Sequence, residues 1–361
     1  MTTPTSSRPG VLMLGNVRHA KPEFEKLSEV ADVTQVTLGT RDEFIRDCDA
    51  GKYNNIVAIS RTYDSVAVRP LIIKTGRGKW NGQLMAYGIY VQITGRFDAE
   101  LVSHLPSSVK FIAHNGAGYD QIDVKPCTER NIAVSNTPSA VDAATANTAV
   151  FLMLGALRRA WIPQLAVREG EWRGASPLGR DPDGLTLGIL GMGGIGTATA
   201  KRAAAFGFRL QYHNRKPVGG LGAQFGGQNV PTYVGFVELL QTSDVISVHL
   251  PLGPETKGLI GAKEFSAMKD GVIIINTARG PIIDEAALAS SLESGKVWSV
   301  GLDVYEKEPE IHLGILKHPG AVLLPHIGTA TVDTQRRMEI LVIDNVRSAV
   351  TKGKLLTMVS E

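Results

Sequence analysis

Cysteine is almost missing from this chain: its 361 residues include only Cys48 and Cys127. The two lie far apart and in no metal-ligand spacing, which excludes a disulfide framework and a zinc site, and no metal is expected. An excess of one sign of charge is missing too. The 38 basic and 35 acidic residues leave a formal charge of +3, and the basic ones are dispersed, so neither a nucleic-acid footprint nor a polybasic membrane patch is indicated. No uninterrupted apolar run of about 18 residues occurs, and the polar stretch 1–10 has no apolar signal core. The terminal Met358-Val359-Ser360-Glu361 is neither a peroxisomal nor a retention signal. These absences point to a cytoplasmic protein without nucleic-acid or membrane partners. The length suits two domains, each with its own core.

Glycine, by contrast, is plentiful, with 39 residues. One group of them is placed by its surroundings. An apolar strand, Thr186-Leu187-Gly188-Ile189-Leu190, runs into Gly191-Met192-Gly193-Gly194-Ile195-Gly196 and then into an Ala-rich helical stretch, 197–206. In a dinucleotide-binding turn Gly191 allows the bend, Gly193 lets a pyrophosphate approach, and Gly196 permits close helix-strand packing. The amides of the helix start, Gly194 and Ile195 included, face the anion. Gly207 can cap the helix, and 208–212 forms the next strand, completing a β-α-β unit.

Strand patterns at 11–14, 33–37, 56–59, 109–113 and 132–135 alternate with helical ones, at 21–27 and from Phe97 onward. A long helix, 141–157, has Ala143, Ala146, Val150 and Leu154 at helical spacing, and is read as a bridge between domains. After the glycine turn, strands at 208–212, 245–250, 272–276, 297–302 and 322–324 alternate with helices. The fold class is therefore α/β, with a Rossmann-type doubly wound parallel sheet over 138–326. The last helix, 331–351, is long enough to return to the first domain, made of 1–137 and 327–361.

Residues 68–92 break this rhythm. They mix scattered Lys, Arg and Gly with Trp80, Tyr87 and Tyr90 and show no periodicity. Val68-Arg69 can be encoded by GTACGT, Leu84-Met85 by a sequence containing CTAAT, and Gln92 by CAG, in the order of a splice donor, branch site and acceptor. The segment is read as a translated intron, with a surface insertion as the alternative, since long loops cost little closure entropy.

The unusual polar residues gather just past strand ends. Asn276-Thr277-Ala278-Arg279-Gly280 follows one strand, Asp303-Val304-Tyr305-Glu306-Lys307-Glu308-Pro309 the next, and Pro325-His326-Ile327-Gly328 the last. In an open α/β sheet these ends share one rim with the glycine turn, where ligands bind. At the strand end after the turn, where an NAD site carries an acid for the ribose 2′-OH, the chain reads His213-Asn214-Arg215-Lys216. Arg215 and Lys216 can pair with a 2′-phosphate and Asn214 can donate to it, so NADPH is expected over NADH.

With Gly116-Ala117-Gly118-Tyr119-Asp120 and Thr137-Pro138, these motifs make the chain resemble the D-isomer-specific 2-hydroxyacid dehydrogenase family, and within it the fungal glyoxylate/hydroxypyruvate (2-ketoacid) reductases. The resemblance covers nearly everything except 68–92. It implies a flavodoxin-like substrate domain, a homodimer, and reduction of a small 2-keto acid. It implies a catalytic Arg279, Glu308 and His326. The chemistry asks for the same types: an imidazole to protonate the nascent alkoxide, a carboxylate beside it, and a planar cation for the substrate carboxylate. A lone histidine after a strand is more often structural; the joint arrangement favours catalysis. The resemblance further places the backbone amides of Ala117 and Gly118 on the substrate carboxylate. It places His249, Pro251, Thr256, Thr277, Ala278, Asp303, His326 and Gly328 along the dinucleotide. For His249 contact through the backbone alone is an alternative, and Trp172, in a loop after the bridging helix, is either packed or directed at a partner subunit. The family also includes dinucleotide-sensing, corepressor-like proteins. The short stretch after the last helix, with no added regulatory tail, argues for the enzyme. A further alternative is an isoform inactivated by 68–92, which enter next to Ser60-Arg61-Thr62-Tyr63-Asp64, near the expected substrate mouth.

Overall fold

The computed structural model describes residues 8–62, 94–174 and 176–359. The segment 68–92, with Tyr63 and Asp64, lies outside the described residues. The chain divides into two compact units, one of Met1–Ala140 with Thr331–Glu361, the other Val141–Ala330. The divisions fall a few residues beyond 137 and 326, so Ile327 and Gly328 belong to the second unit, where a buried carboxylate holds them.

The first unit carries a five-stranded parallel sheet: β1 (Gly10–Leu14), β2 (Asp32–Val36), β3 (Ile56–Arg61), β4 (Phe111–His114) and β5 (Ala133–Ser135), in the order β2-β1-β3-β4-β5. This is the flavodoxin-like order, whose ligand crevice lies beyond the strands' carboxyl ends. Successive side chains of a strand point to opposite faces. Leu12 and Leu14 thus pack with Ile59, Phe97, Leu101 and Ile112 on one face, and Val11 and Met13 meet Val342, Ile343 and Val346 on the other. The latter three lie on the helix Val332–Lys352, N-capped by Thr331. Its Glu339 accepts the backbone N–H groups of Arg18, His19 and Ala20 at 2.9, 2.7 and 2.8 Å, closing the loop that leaves β1.

The second unit carries a seven-stranded parallel sheet: β6 (Thr186–Leu190), β7 (Arg209–His213), β8 (Thr232–Tyr233), β9 (Val245–Val248), β10 (Val272–Asn276), β11 (Val297–Leu302) and β12 (Ala321–Leu323). The order β12-β11-β10-β9-β6-β7-β8 is doubly wound. The chain starts at central β6, runs out to β8, and returns to β9 on the other side, so the switch point lies between β6 and β9. β9 and β10 are buried throughout, which explains why Val and Ile fill all of their positions but Ser247 and Asn276. The helix read as a bridge, Asp142–Leu157, lies wholly in this unit and packs against β10, β11 and the helix Gly194–Ala204.

Several elements were not anticipated, among them the helices Arg41–Asp49 and Val124–Glu129 and the two that follow. β8 has only two residues, too few to show a period. A helix, Trp161–Glu169, follows the 142–157 helix, so Trp172 comes after this second helix and not directly after the first; it is 75% exposed. No single described helix is long and apolar enough to cross a membrane.

Candidate active site

The glycine turn of the second unit is built by exclusion. Gly191 has φ +103°, and a Cβ on it would stand 2.8 Å from the carbonyl carbon and oxygen of His249. A Cβ on Gly196 would stand 2.0 Å from Gly191 O and 3.2 Å from Ile189 Cγ2, which is the helix-strand approach expected of it. Nothing lies within 4 Å of a Cβ on Gly193. The following helix starts at Gly194, earlier than the Ala-rich pattern suggested, and no side chain caps it. The first-turn amides of Gly194, Ile195 and Gly196 therefore lack intrahelical acceptors and present their donors to the open side.

Around this turn, Asn214 Oδ1 accepts the Met192 N–H at 2.7 Å, and Tyr233 OH donates to Asn214 O at 3.3 Å. Arg215 is free to meet an anion: its side chain is 93% exposed, with Glu255 Oε2 at 3.9 Å as its ion-pair partner. Lys216 is exposed as well. Thr256 Oγ1 donates to Pro251 O at 2.6 Å and accepts the Gly253 N–H at 2.8 Å, closing the turn after β9. His249 Nε2 pairs with Ser247 Oγ at 2.8 Å, and burial pushes its imidazole down to about 4, so it is neutral near pH 7. His249 Nδ1 and Thr277 Oγ1 are buried without a hydrogen-bond partner among the described residues. Orphaned polar atoms at a carboxyl-end rim, beside a cradle of free amides, fit a dinucleotide.

Past β10, Asn276 fixes the next loop: Oδ1 accepts the Ala278 N–H and Nδ2 donates to Arg279 O, both at 3.0 Å. Arg279 Nη1 donates to Ala278 O at 2.8 Å. Gly280 lies so close to Tyr305 that a Cβ would stand 1.8 Å from its carbonyl carbon, which seats this loop against the one leaving β11. That second loop is held by Glu285, a buried carboxylate accepting the N–H groups of Glu306 at 2.7 Å and His312 at 3.1 Å.

These loops bring Glu308 to His326. Glu308 Oε2 lies 2.9 Å from His326 Nδ1, and Oε1 accepts the Tyr305 N–H at 3.0 Å. Burial works to raise the Glu308 carboxyl, but the hydrogen bond and charge of His326, the Tyr305 amide and the Arg279 cation outweigh it, leaving it below its ordinary value. The pair is only about one-third exposed. His326 has φ +57°, a left-handed conformation uncommon outside glycine. Asp303, 1% exposed, holds that turn by accepting the Ile327 and Gly328 N–H groups, each at 2.8 Å. Burial raises its carboxyl, against the pull of those amides and of His326.

In the first unit, the loop after β4 has its carbonyls tied down one after another. Gly116 O accepts the Thr137 N–H at 3.0 Å, Ala117 O accepts Asn136 Nδ2 at 2.7 Å, and Gly118 O meets His114 Nε2 at 3.0 Å. Across a planar trans peptide the carbonyl and the next amide point opposite ways. The N–H groups of Ala117, Gly118 and Tyr119 therefore face away from those anchors.

Comparison with known proteins decides the family. Residues 150–328 match the model of the D-isomer specific 2-hydroxyacid dehydrogenase NAD-binding domain. A 4-methyl-2-oxopentanoate reductase A of Aspergillus oryzae is 50% identical, over 98% of each chain. The chain belongs to the D-isomer-specific 2-hydroxyacid dehydrogenases. It is an NAD(P)-dependent oxidoreductase. Among solved structures, a glyoxylate reductase from Paecilomyes thermophila superposes with a TM-score of 0.87 at 48% identity, covering 98% of this chain and 99% of the other. An NADPH-dependent glyoxylate/hydroxypyruvate reductase from Sinorhizobium meliloti, complexed with NADP and malonate, gives 0.77 at 30% identity, covering 98% and 97%.

In this dehydrogenase, Glu308 and His326 touch, and Arg279 acts on Glu308 through its charge. Ala117 and Gly118 belong to the other unit. Glu285 went unrecognised in the sequence because an acid in the first turn of a helix is ordinary; only its burial and its two backbone donors mark it.

Proposed function

We propose that this dehydrogenase uses NADPH to reduce a small 2-keto acid to the D-2-hydroxy acid, with His326 donating the proton. The observation that carries this is the Glu308–His326 contact at 2.9 Å, on the same rim as the glycine turn. Glu308, held ionised, takes the Nδ1 side of the imidazole and fixes the ring so that Nε2 is left to donate the proton. A dinucleotide held by its pyrophosphate at the glycine turn would supply the hydride from its reduced nicotinamide ring. Arg279 grips the substrate carboxylate and polarises the keto oxygen, and the amides of Ala117 and Gly118 take the other carboxylate oxygen. Asp303 keeps Gly328 and the His326 turn in place.

NADPH is favoured because Arg215 and Lys216 stand exposed where an NAD site carries an acid. The names of the relatives, with 4-methyl-2-oxopentanoate, glyoxylate and hydroxypyruvate, support a small 2-keto acid as substrate. Large apolar side chains left exposed between 151 and 178, among them Phe151, Trp161, Val167, Trp172 and Leu178, favour a homodimer. The two buried, unpaired thiols suit a reducing cytoplasm.

The test is NADPH oxidation by the purified chain with glyoxylate, hydroxypyruvate, 4-methyl-2-oxopentanoate and phenylglyoxylate, beside His326→Ala. Turnover of at least one acid, lost in the variant, is expected. Cofactor binding without any turnover would sink the proposal.

A further inference from the structure

We propose that Arg61 and His114 form a positioning relay that orients the Tyr119 amide, next to those of Ala117 and Gly118, toward the keto acid's carboxylate. The inference rests on the reading of those amides given above, and concerns residues to which no role has been assigned.

Arg61 ends β3 and His114 ends β4, and the two are register partners in the sheet. Arg61 is fully buried, 0% exposed, yet its guanidinium contacts neutral groups: Gly95 O at 3.1 Å, Gln121 Oε1 at 2.9 Å and His114 Nδ1 at 3.2 Å. Burial pushes the guanidinium down to about 10, with Asp120 pulling the other way, so it remains a cation at neutral pH. A buried arginine held mainly by neutral acceptors is costly, and a packed apolar residue would serve the core better.

The benefit lies in the ring it faces. A guanidinium has donors and no acceptor, so His114 Nδ1 must accept. The ring proton of neutral His114 then sits on Nε2. There it donates to Gly118 O, 3.0 Å away, which can only accept. Arg61 thus fixes the tautomer, and the tautomer fixes the loop. The ring also lies flush against the loop: a Cβ on Gly116 would stand 2.7 Å from His114 Nε2. With Gly118 O drawn toward His114, the N–H of the same peptide plane, that of Tyr119, is turned outward, and the relay supplies the anchor that Asn136 and Thr137 do not.

A relay that aims a carboxylate-binding loop acts on substrate affinity. In the full-length enzyme, His114→Ala and His114→Asn should raise KM for the keto acid about tenfold, the worth of one hydrogen bond, with kcat within about twofold and NADPH affinity unchanged. His114→Gln, whose amide nitrogen reaches the place of Nε2, should stay within about threefold of wild type. Nitrogen NMR of the histidine-labelled protein without substrate should show His114 with its proton on Nε2. KM values unchanged in the Ala and Asn variants, or a ring protonated on Nδ1, would overturn the relay. If the wild type turned over no keto acid, the reading of the site would fall, and the ring tautomer would still decide the relay.

Discussion

Glu308 Oε2 and His326 Nδ1 stand 2.9 Å apart, and the loops that carry them are pinned separately, the first by Glu285 at Glu306 and His312 and the second by Asp303 at Ile327 and Gly328. The imidazole is therefore oriented before any substrate arrives. Replacing Glu308 with Gln keeps the shape and removes the carboxylate charge that pairs with Nδ1. We expect kcat to fall about 100-fold, and about 1,000-fold for His326→Ala, with NADPH affinity close to wild type in both. Steady-state rates and fluorescence titration check this; a Glu308→Gln enzyme with full kcat would remove the pair from the chemistry.

The lowered Glu308 carboxyl also makes a pH statement. A depressed folded value means that the ionised form stabilises the fold above the unfolded-chain value of about 4.3, and that this contribution disappears as pH falls through the lower folded value. The stability difference between wild type and Glu308→Gln should accordingly be present at about pH 5 and shrink below about 4. Denaturant titrations across that range read it directly, and a difference that grew on acidification would contradict the sign.

Much of this arrangement was legible in the chain because it follows from local rules. β10 and β11 were read with their observed bounds since both are long apolar runs that end in polar residues. The glycine turn was legible because Gly191 and Gly196 meet backbone atoms that tolerate no side chain. The helix Trp161–Glu169 was not, because Pro163 and Gly170 resemble loop punctuation, although Pro is tolerated in a first helical turn. Glu285, and the double amide grip of Asp303, are tertiary facts. Their carboxylates sit where any helix start or strand end carries one, and nothing local distinguishes a clamp from a solvated acid.

Cofactor choice can be tested at the end of β7. Arg215 and Lys216 cost little to replace in the free protein, since they are exposed. Arg215→Ala combined with Lys216→Ala should raise KM for NADPH more than about tenfold and leave NADH within about threefold. Glu255→Gln, which removes the carboxylate 3.9 Å from Arg215, should move NADPH the other way. Equal losses for both cofactors in the double variant would remove the 2′-phosphate from this corner.

The odd segment makes a prediction at the level of the message. Transcript sequencing should find a spliced form that lacks codons 68–92 and joins Ala67 to Ile93 in frame. A message that always retains them would make the segment an insertion of the protein itself.

Two glycines of the same turn separate folding from binding. At Gly196 a methyl group would overlap Gly191 O, so Gly196→Ala should destabilise the protein by about 1–3 kcal/mol or more. At Gly193 a methyl group meets nothing within 4 Å and the backbone φ is −80°, so Gly193→Ala should leave stability within about 0.5 kcal/mol. Its methyl group would instead enter the space reserved for the pyrophosphate and weaken NADPH binding at least about tenfold. Thermal unfolding without cofactor, set beside NADPH titration, distinguishes the two; a Gly193→Ala protein with normal affinity would move the phosphates elsewhere.

Glu339 gives the first unit a comparable test. Its carboxylate accepts three consecutive N–H groups, from Arg18, His19 and Ala20, in a site where the residue is 6% exposed. Glutamine is nearly isosteric, but one of its two terminal atoms is an NH₂ that cannot accept. At least one loop amide would then face another donor in a buried place. Because hydrogen bonds to charged groups are worth about 1.5–3 kcal/mol, Glu339→Gln should cost about 2 kcal/mol, and Glu339→Ala more. Urea unfolding measures the loss. If Glu339→Gln unfolded at the wild-type midpoint, the loop after β1 would hold its shape without the carboxylate, and the return of the last helix would rest on Val342, Ile343 and Val346 alone.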